Sequence, residues 1–348
     1  MTENDDWAAA LAGPPKKPMK RRTKILLWVF AAFVAWFTLS NASFLAPDPD
    51  GKPKLIAHRG VYHLYDKRAA TGRDTCTAAF AYPPEHEIFE NTPGSMRWAV
   101  GLGANMVEVD VAPTKDGRMV LFHDWTVDCR TNGKGETRDL TLAQLKALDI
   151  GYGYTADGGK SFPLRGKGIG KMPTVEEGLD ALPVHPILFN FKSKDPGEAD
   201  RLFAILKASG RDSKKLGDAF YGAGPPVQRM RELLPDNWSF AIKQEIQPCT
   251  RDYVLYGWSG IIPESCHGRA IGIPVNYQWA FWGWPDRLIA RMDSVGAKVI
   301  VFGPYERGKS TEGLSDPRQL AKIPASFNGY IWVEDIRAVG PALRPRQR

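Results

Sequence analysis

The sequence predicts an α/β protein, a (β/α)8 barrel of the TIM type preceded by a single N-terminal transmembrane helix. Short apolar strand-like runs alternate with helical patterns, as in a parallel α/β architecture. The alternation continues from Pro53 to Gly340, roughly the length of one such barrel. One unbroken apolar run lies ahead of it.

That run is Ile25–Leu39, and with Ser40–Ala46 it reaches about twenty residues, enough for a helix to cross a bilayer. Lys16, Lys17, Lys20, Arg21, Arg22 and Lys24 precede it, and an acidic, Pro-rich segment (Ala46-Pro47-Asp48-Pro49-Asp50-Gly51) follows. This charge asymmetry puts the N-terminus in the cytoplasm and the remainder outside. The rival is a cleaved signal peptide, because Ser40-Asn41-Ala42 has small residues where a signal peptidase reads. A long basic lead and three Phe plus two Trp in the run favour a retained anchor. Either way the following domain is exported, to the periplasmic face of the inner membrane in a bacterium or into the periplasm or medium after cleavage. The expected organisation is a basic cytoplasmic tail (1–24), an anchor (25–45), a linker (46–54), a barrel (55–340) with an insertion at 61–89, and a tail (341–348).

Composition, 43% hydrophobic and 24% charged, allows a core of normal size. The formal charge of +7 would suggest nucleic acid. Six of the cations crowd the stretch before the apolar run, however, and the remainder has no basic stripe and no nucleic-acid-binding signature, so nucleic acid is not expected as a partner. Four cysteines in an exported chain suggest disulfides, and none sits in a Cys-x-x-Cys motif. Of the three pairings, Cys249–Cys266, closing a local loop, and Cys76–Cys129 are expected. Four buried thiols are the alternative.

The strands expected are Lys54–Ala57, Met106–Val111, Met119–Phe122, Pro186–Phe191, Ala219–Tyr221, Phe240–Lys243, Ile271–Val275, Lys298–Phe302 and Gly329–Val333. Nine candidates compete for eight places, so one of the later ones should be surplus. Helices are expected over Thr92–Gly101, Leu140–Leu148, Thr174–Leu182 and Asp286–Val295, the second and third opened by a Thr cap. Only Ala112–Arg118 separates the second and third strands, too few residues for a parallel crossover. Either one unit has lost its helix or these strands form a hairpin.

The carboxyl ends of barrel strands form the functional face. There the first four strands carry His58-Arg59-Gly60, Glu108-Val109-Asp110, His123-Asp124 and Asn190-Phe191-Lys192. Residues two apart on a strand share a face, so Glu108 pairs with Asp110 and Asn190 with Lys192. Buried carboxylates there need a partner, and a hard divalent cation with oxygen ligands suits them. Two imidazoles can supply and remove protons near neutrality.

His58-Arg59-Gly60, Glu90-Asn91-Thr92, Glu108-x-Asp110, Thr114-x-Asp116-Gly117 and His123-Asp124 together resemble the glycerophosphodiester phosphodiesterase family over residues 54–195. The resemblance implies metal-dependent hydrolysis of a glycerophosphodiester to sn-glycerol 3-phosphate and an alcohol. His58 and His123 would be the general acid and base, and Arg59 and Lys192 would neutralise phosphoryl oxygens. Glu108 and Asp110 would hold Mg²⁺ or Ca²⁺, and the glycerol 2-hydroxyl would be the nucleophile. The family's fourth strand ends in Glu-x-Lys, whereas here Asn190 stands at the Glu position, with Glu90 as a substitute ligand. Two alternatives remain open: a lysophospholipid or head-group phosphodiesterase that forms a cyclic phosphate, and an exported binding or scaffold domain without turnover. The insertion 61–89 is expected to lie over the mouth, tied by Cys76 to Cys129. The aromatic run Tyr277–Trp284 either reaches that face or packs between strand and helix. His63, His86, His185 and His267 are read as structural.

Overall fold

The computed structural model describes residues 19–69, 75–307 and 312–343. The cations Lys16 and Lys17 and the end of the expected tail, 344–348, lie outside the described residues. Nine strands form: β1 (Lys54–Ala57), β2 (Met106–Pro113), β3 (Met119–Leu121), β4 (Ile187–Phe191), β5 (Ala219–Gly222), β6 (Ser239–Ala241), β7 (Ala270–Pro274), β8 (Lys298–Phe302) and β9 (Tyr330–Val333). Eight are parallel neighbours in the order β6-β5-β4-β2-β1-β9-β8-β7, a nearly closed barrel whose ends β6 and β7 are not paired.

The surplus strand is β3, and not one of the later ones. It pairs antiparallel with β2 through Val111↔Leu121 and Pro113↔Met119. The link is a hairpin turn in which Thr114 Oγ1 donates to Asp116 Oδ1 at 2.6 Å and Gly117 takes φ +77°. Because β2 overshoots the barrel rim, β3 runs back to it and delivers His123 to the same face. Two other boundaries move. The expected strand Phe240–Lys243 ends at Ala241, where Glu245 accepts from the Ala241 N–H at 2.8 Å and the chain turns into a π-helical segment over Ile242–Ile246. The second expected helix shortens to Leu142–Lys146 behind a Thr141 capping box.

Period-two alternation sorts the barrel. Leu55, Ala57, Val107, Val109, Ile187, Phe189, Ile331 and Val333 face the helices. Ile56, Met106, Leu188, Ala219, Tyr221, Ile300 and Trp332 fill the interior. Register then fixes the next layer up: Ala57 lies opposite both Val107 and Val333. One residue further on, His58, Glu108 and Glu334 therefore share a layer. Asp110 stands opposite Asn190, and Asn190 opposite Tyr221, one layer above.

The apolar helix spans Arg21–Asn41, starting inside the basic cluster and stopping short of residue 45. Asn41 ends it, its Nδ2 donating to the carbonyls of Phe37 at 3.0 Å and Trp258 at 2.8 Å. By length and composition this helix could cross a membrane. Residues 61–69 and 75–89 form an arm over the mouth, bridged at Tyr65↔Ala81. Disulfides join Cys76 to Cys129 and Cys249 to Cys266, and no described cysteine is free.

The Cys76–Cys129 bridge closes a loop of 53 residues, so replacing both by Ser releases about 4 kcal/mol of unfolded-state restraint in the chain-entropy limit. A fall of several degrees in Tm is expected on calorimetry of the oxidised protein. An unchanged Tm would show that the arm is held without the bridge.

Candidate active site

The site begins with backbone that only a network of hydrogen bonds can hold. Arg59 and Asn91 both have positive φ, +55° and +59°, a conformation that costs a non-glycine residue of order 1 kcal/mol or more. The Arg59 N–H donates to Glu108 Oε2 at 2.9 Å, while its carbonyl accepts from the Asn91 N–H at 3.0 Å and from Ser95 Oγ at 3.2 Å. Gly60 follows at φ +73°, where a Cβ would lie 2.5 Å from Ser95 Oγ. The His-Arg-Gly sequence is thus a tight turn packed on the start of the helix Pro93–Gly101, which Thr92 caps.

Glu108 and Asp110 are fully buried at the centre. Glu108 accepts from Tyr221 OH at 2.7 Å through its other oxygen. Asp110 accepts from Asn190 Nδ2 at 2.8 Å and Asn91 Nδ2 at 3.2 Å, with Arg59 Nε at 3.3 Å and Lys192 Nζ at 3.5 Å. Burial, and after it the Asp110 charge, push the Glu108 carboxyl up. Burial also works against Asp110, but Lys192, His123 and Arg59 overcome it and hold that carboxyl well below the usual range.

The two imidazoles are set apart by their neighbours. His58 Nδ1 makes a short contact with Glu334, and its Nε2 lies 4.0 Å from Glu108. Burial lowers its pKa, yet Glu334 outweighs burial and the net shift is upward. Glu334 is itself fixed by Tyr62 OH and the Gly313 N–H, both at 2.8 Å. His123 Nδ1 lies 2.7 Å from Asp124, which Arg130 Nε holds at 2.8 Å. Burial, helped by Arg59 and Lys192, takes His123 down to about 4. A cleft in front of His123 and Lys192 is walled by Trp125, Cys129 and Thr75 of the arm.

The structure therefore brings His58, Arg59, Glu108, Asp110, Asn190, Lys192 and His123 together at the carboxyl ends of the strands, linked through Glu108 and Asp110. Glu90 stands to one side: its two oxygens are taken by Arg59 at 3.2 Å and Arg130 at 3.0 Å. Among the described residues no three of His, Cys, Asp and Glu are grouped to hold a metal ion. A cation would rest on Glu108 and Asp110; Asn190 turns its Nδ2 to Asp110, so its carboxamide would have to rotate to offer a third oxygen. The fit is chemical: two hard donors on one strand face whose mutual repulsion a cation between them relieves. Sequence reasoning missed Glu334, Tyr221 and Arg130. Glu334 had a signal, since it follows an apolar strand just as His58 follows β1. The aromatic run divides: Trp282 and Trp284 pack inward, with Trp282 Nε1 on the Val254 carbonyl at 2.9 Å, while Tyr277 and Trp279 are exposed. His63 is buried and stacks on His86 at 4.3 Å.

Arg130 also reaches Thr77 Oγ1 at 2.7 Å, so one buried guanidinium serves the base's carboxylate, Glu90 and the arm. Arg130→Met strips Asp124 of its guanidinium partner and leaves Glu90 with Arg59 alone, a loss of about 3–5 kcal/mol. The urea midpoint should fall at unchanged slope; a midpoint equal to wild type would contradict this.

Residues 58–204 match the model of the Glycerophosphoryl diester phosphodiesterase family. A glycerophosphodiester phosphodiesterase of Bacillus subtilis is 33% identical over 185 residues, covering 50% of this chain and 53% of the relative. Another, from Caldanaerobacter subterraneus, is 33% identical over 136 residues, covering 38% and 52%. The chain thus spans about half the length of these curated relatives. Among solved structures, a glycerophosphodiester phosphodiesterase from Agrobacterium tumefaciens superposes with TM-score 0.54 at 18% identity, covering 83% of this chain and 98% of that one. An Oleispira antarctica phosphodiesterase in complex with the product sn-glycerol-3-phosphate gives 0.53 at 18% identity, covering 84% and 97%. At that identity the likeness bears on the fold, and the barrel is theirs. With the motifs and the barrel in agreement, residues 58–204 are similar to the glycerophosphoryl diester phosphodiesterase family.

Proposed function

We propose that the chain is an exported, membrane-anchored enzyme that hydrolyses glycerophosphodiesters to sn-glycerol 3-phosphate and an alcohol. The observation that carries this is geometric: one imidazole on Glu334 and one on Asp124 flank a buried carboxylate pair, with Arg59 and Lys192 beside it. Environments that drive two titrating groups apart assign acid and base. His123 is neutral at pH 7. With Nδ1–H donated to Asp124, its Nε2 carries the lone pair that takes a proton from the attacking glycerol 2-hydroxyl. His58, kept cationic by Glu334, donates from Nε2 to the leaving alkoxide. In the second stage the roles reverse, and a water opens the cyclic phosphate. Arg59 and Lys192 face the phosphoryl oxygens and offset their charge. Glu108, Asp110 and Asn190 would hold the divalent cation that the family implies. When bound, it polarises the phosphoryl group and lowers the pKa of the hydroxyl. The disulfides and the apolar helix Arg21–Asn41 support an exported, anchored enzyme.

The test is sn-glycerol 3-phosphate release from glycerophosphocholine and glycerophosphoglycerol by the purified chain with Mg²⁺ or Ca²⁺. His58→Ala and His123→Ala should each cut kcat by about 10² or more, with little change in fold. No release with either cation, or near-wild-type turnover in either variant, would remove the mechanism.

A pH profile probes the assignment separately. The base must be unprotonated, so activity should rise as pH passes about 4, the value to which His123 is lowered. The acid must be protonated, so activity should fall above the pKa of His58, which lies above 6.5. In Glu334→Gln the carboxylate that raises His58 is gone, and the alkaline limb should move to lower pH while the acid limb stays. An unmoved alkaline limb would assign that limb to another group.

A further inference from the structure

We infer that the barrel rests on the membrane with the amino-terminal ends of its strands toward the lipid and its catalytic mouth turned away. Its substrate class is then a water-soluble glycerophosphodiester arriving from the aqueous side, and not a lipid of the same bilayer. This builds on the anchored reading proposed above and adds an orientation to it.

The direction is read from successive contacts along the apolar helix. Trp36 and Phe37 meet the ring of Trp258, each with centroids 6.5 Å apart. Trp258 sits in the turn Gly257–Ser259, which ends the helix Gln247–Tyr256. That helix descends from the carboxyl end of β6 and leads to the start of β7, so its end marks the amino-terminal side of the barrel. A turn further along the anchor, the Ser40 carbonyl accepts from Arg291 Nη2 at 2.9 Å. Just beyond the anchor's end, Ser43 Oγ accepts from the Asp286 N–H at 2.9 Å. Asp286 opens the helix Asp286–Ser294 that follows the carboxyl end of β7. Leaving the apolar helix therefore means climbing from the amino-terminal side of the barrel toward its mouth. The bulk of the helix, residues 21–35, must extend the opposite way.

What lies level with the helix on that lower side suits a bilayer surface. Leu255, Tyr256 and Ile261 are 54%, 60% and 70% exposed beside Trp258. Aromatic residues of this type favour the boundary between head groups and hydrocarbon. Lys54 and Lys298, the first residues of β1 and β8, are exposed on the same side and suit anionic head groups. Among the other exposed aromatics, Tyr277, Trp279 and Tyr305 follow β7 and β8 at the mouth and are lifted away from the lipid. This placement separates two substrate classes that share one phosphodiester chemistry.

The test uses the full chain in vesicles of phosphatidylcholine and phosphatidylglycerol that carry a lipid with a carbene precursor near its head group. After photolysis, mass spectrometry maps the labelled peptides. Label is expected on the apolar helix and on 255–261, with none on 277–279, at 305 or in the arm. Label at the mouth, or an unlabelled 255–261, would overturn the orientation. The same vesicles are then given glycerophosphocholine outside or lysophosphatidylcholine within the membrane. Turnover of the first and not the second is expected, and turnover of the embedded lysolipid would overturn the substrate class. If neither is cleaved while 255–261 is labelled, the proposed reaction fails and the orientation stands.

Discussion

Two carboxylates on one strand face, wholly buried, are the constraint that organises the mouth of this barrel. Glu108 and Asp110 are both fully inaccessible, and charge in that position is tolerated only when paired and hydrogen-bonded. Around them Arg59, Lys192 and the amides of Asn91 and Asn190 supply the compensation. The left-handed backbone of Arg59 is part of the arrangement. With an ordinary φ its N–H could not reach Glu108 while its guanidinium reached Asp110 and Glu90. Local strain is thus held by charge, and the charge is held by strained backbone. The same crowding that makes this cluster costly is what a cation and a phosphodiester anion would relieve.

The functional difference between the two histidines follows from register. His58 leaves β1 one residue past Ala57, where β9 delivers Glu334 at the same height. A carboxylate there raises the pKa of the ring. His123 arrives by a different route, on a returning antiparallel strand that sets it beside Asp110 and near two cations. Burial and those cations then keep it neutral although Asp124 touches it. Neither ring is special by itself. Their environments were assigned when the strands paired.

Much of this could be read from the sequence because barrel chemistry obeys period two. Once Lys54–Ala57, Met106–Val111 and Pro186–Phe191 are strands, His58, Glu108, Asp110, Asn190 and Lys192 fall on one face by parity. The same parity placed Glu334 and Tyr221 there too, but a lone Glu or Tyr after an apolar run has no motif around it, and its value appears only when its neighbour across the sheet is known. Arg130 could not be found at all. Its partners, Thr77, Glu90, Asp124 and Tyr154, come from four separate segments, and only tertiary folding brings them to one guanidinium. The hairpin at β2–β3 was posed correctly by loop length, which excluded a parallel crossover. The surplus strand was sought in the wrong place because β3 has the apolar pattern of a barrel strand without being one.

The arm over the mouth ties the geometry of the site to the oxidation state of the chain. The described parts of the arm, 61–69 and 75–89, are fastened to the barrel at several points. These include the Cys76–Cys129 bridge, the Arg130–Thr77 hydrogen bond, the Thr155 N–H on the Ala78 carbonyl at 3.1 Å, and ion pairs from Lys67 to Glu312 and Glu85 to Arg337. The ion pairs are partly exposed and weak individually. The covalent bridge persists only where thiols are oxidised. Cys129 lies six residues beyond His123, and Arg130 grips the carboxylate that touches that ring, so whatever fixes the arm also fixes the His123 imidazole. In a reducing compartment the chain would lose the fastening closest to its chemistry, and the wall in front of His123 and Lys192 would depend on Arg130 and weaker contacts.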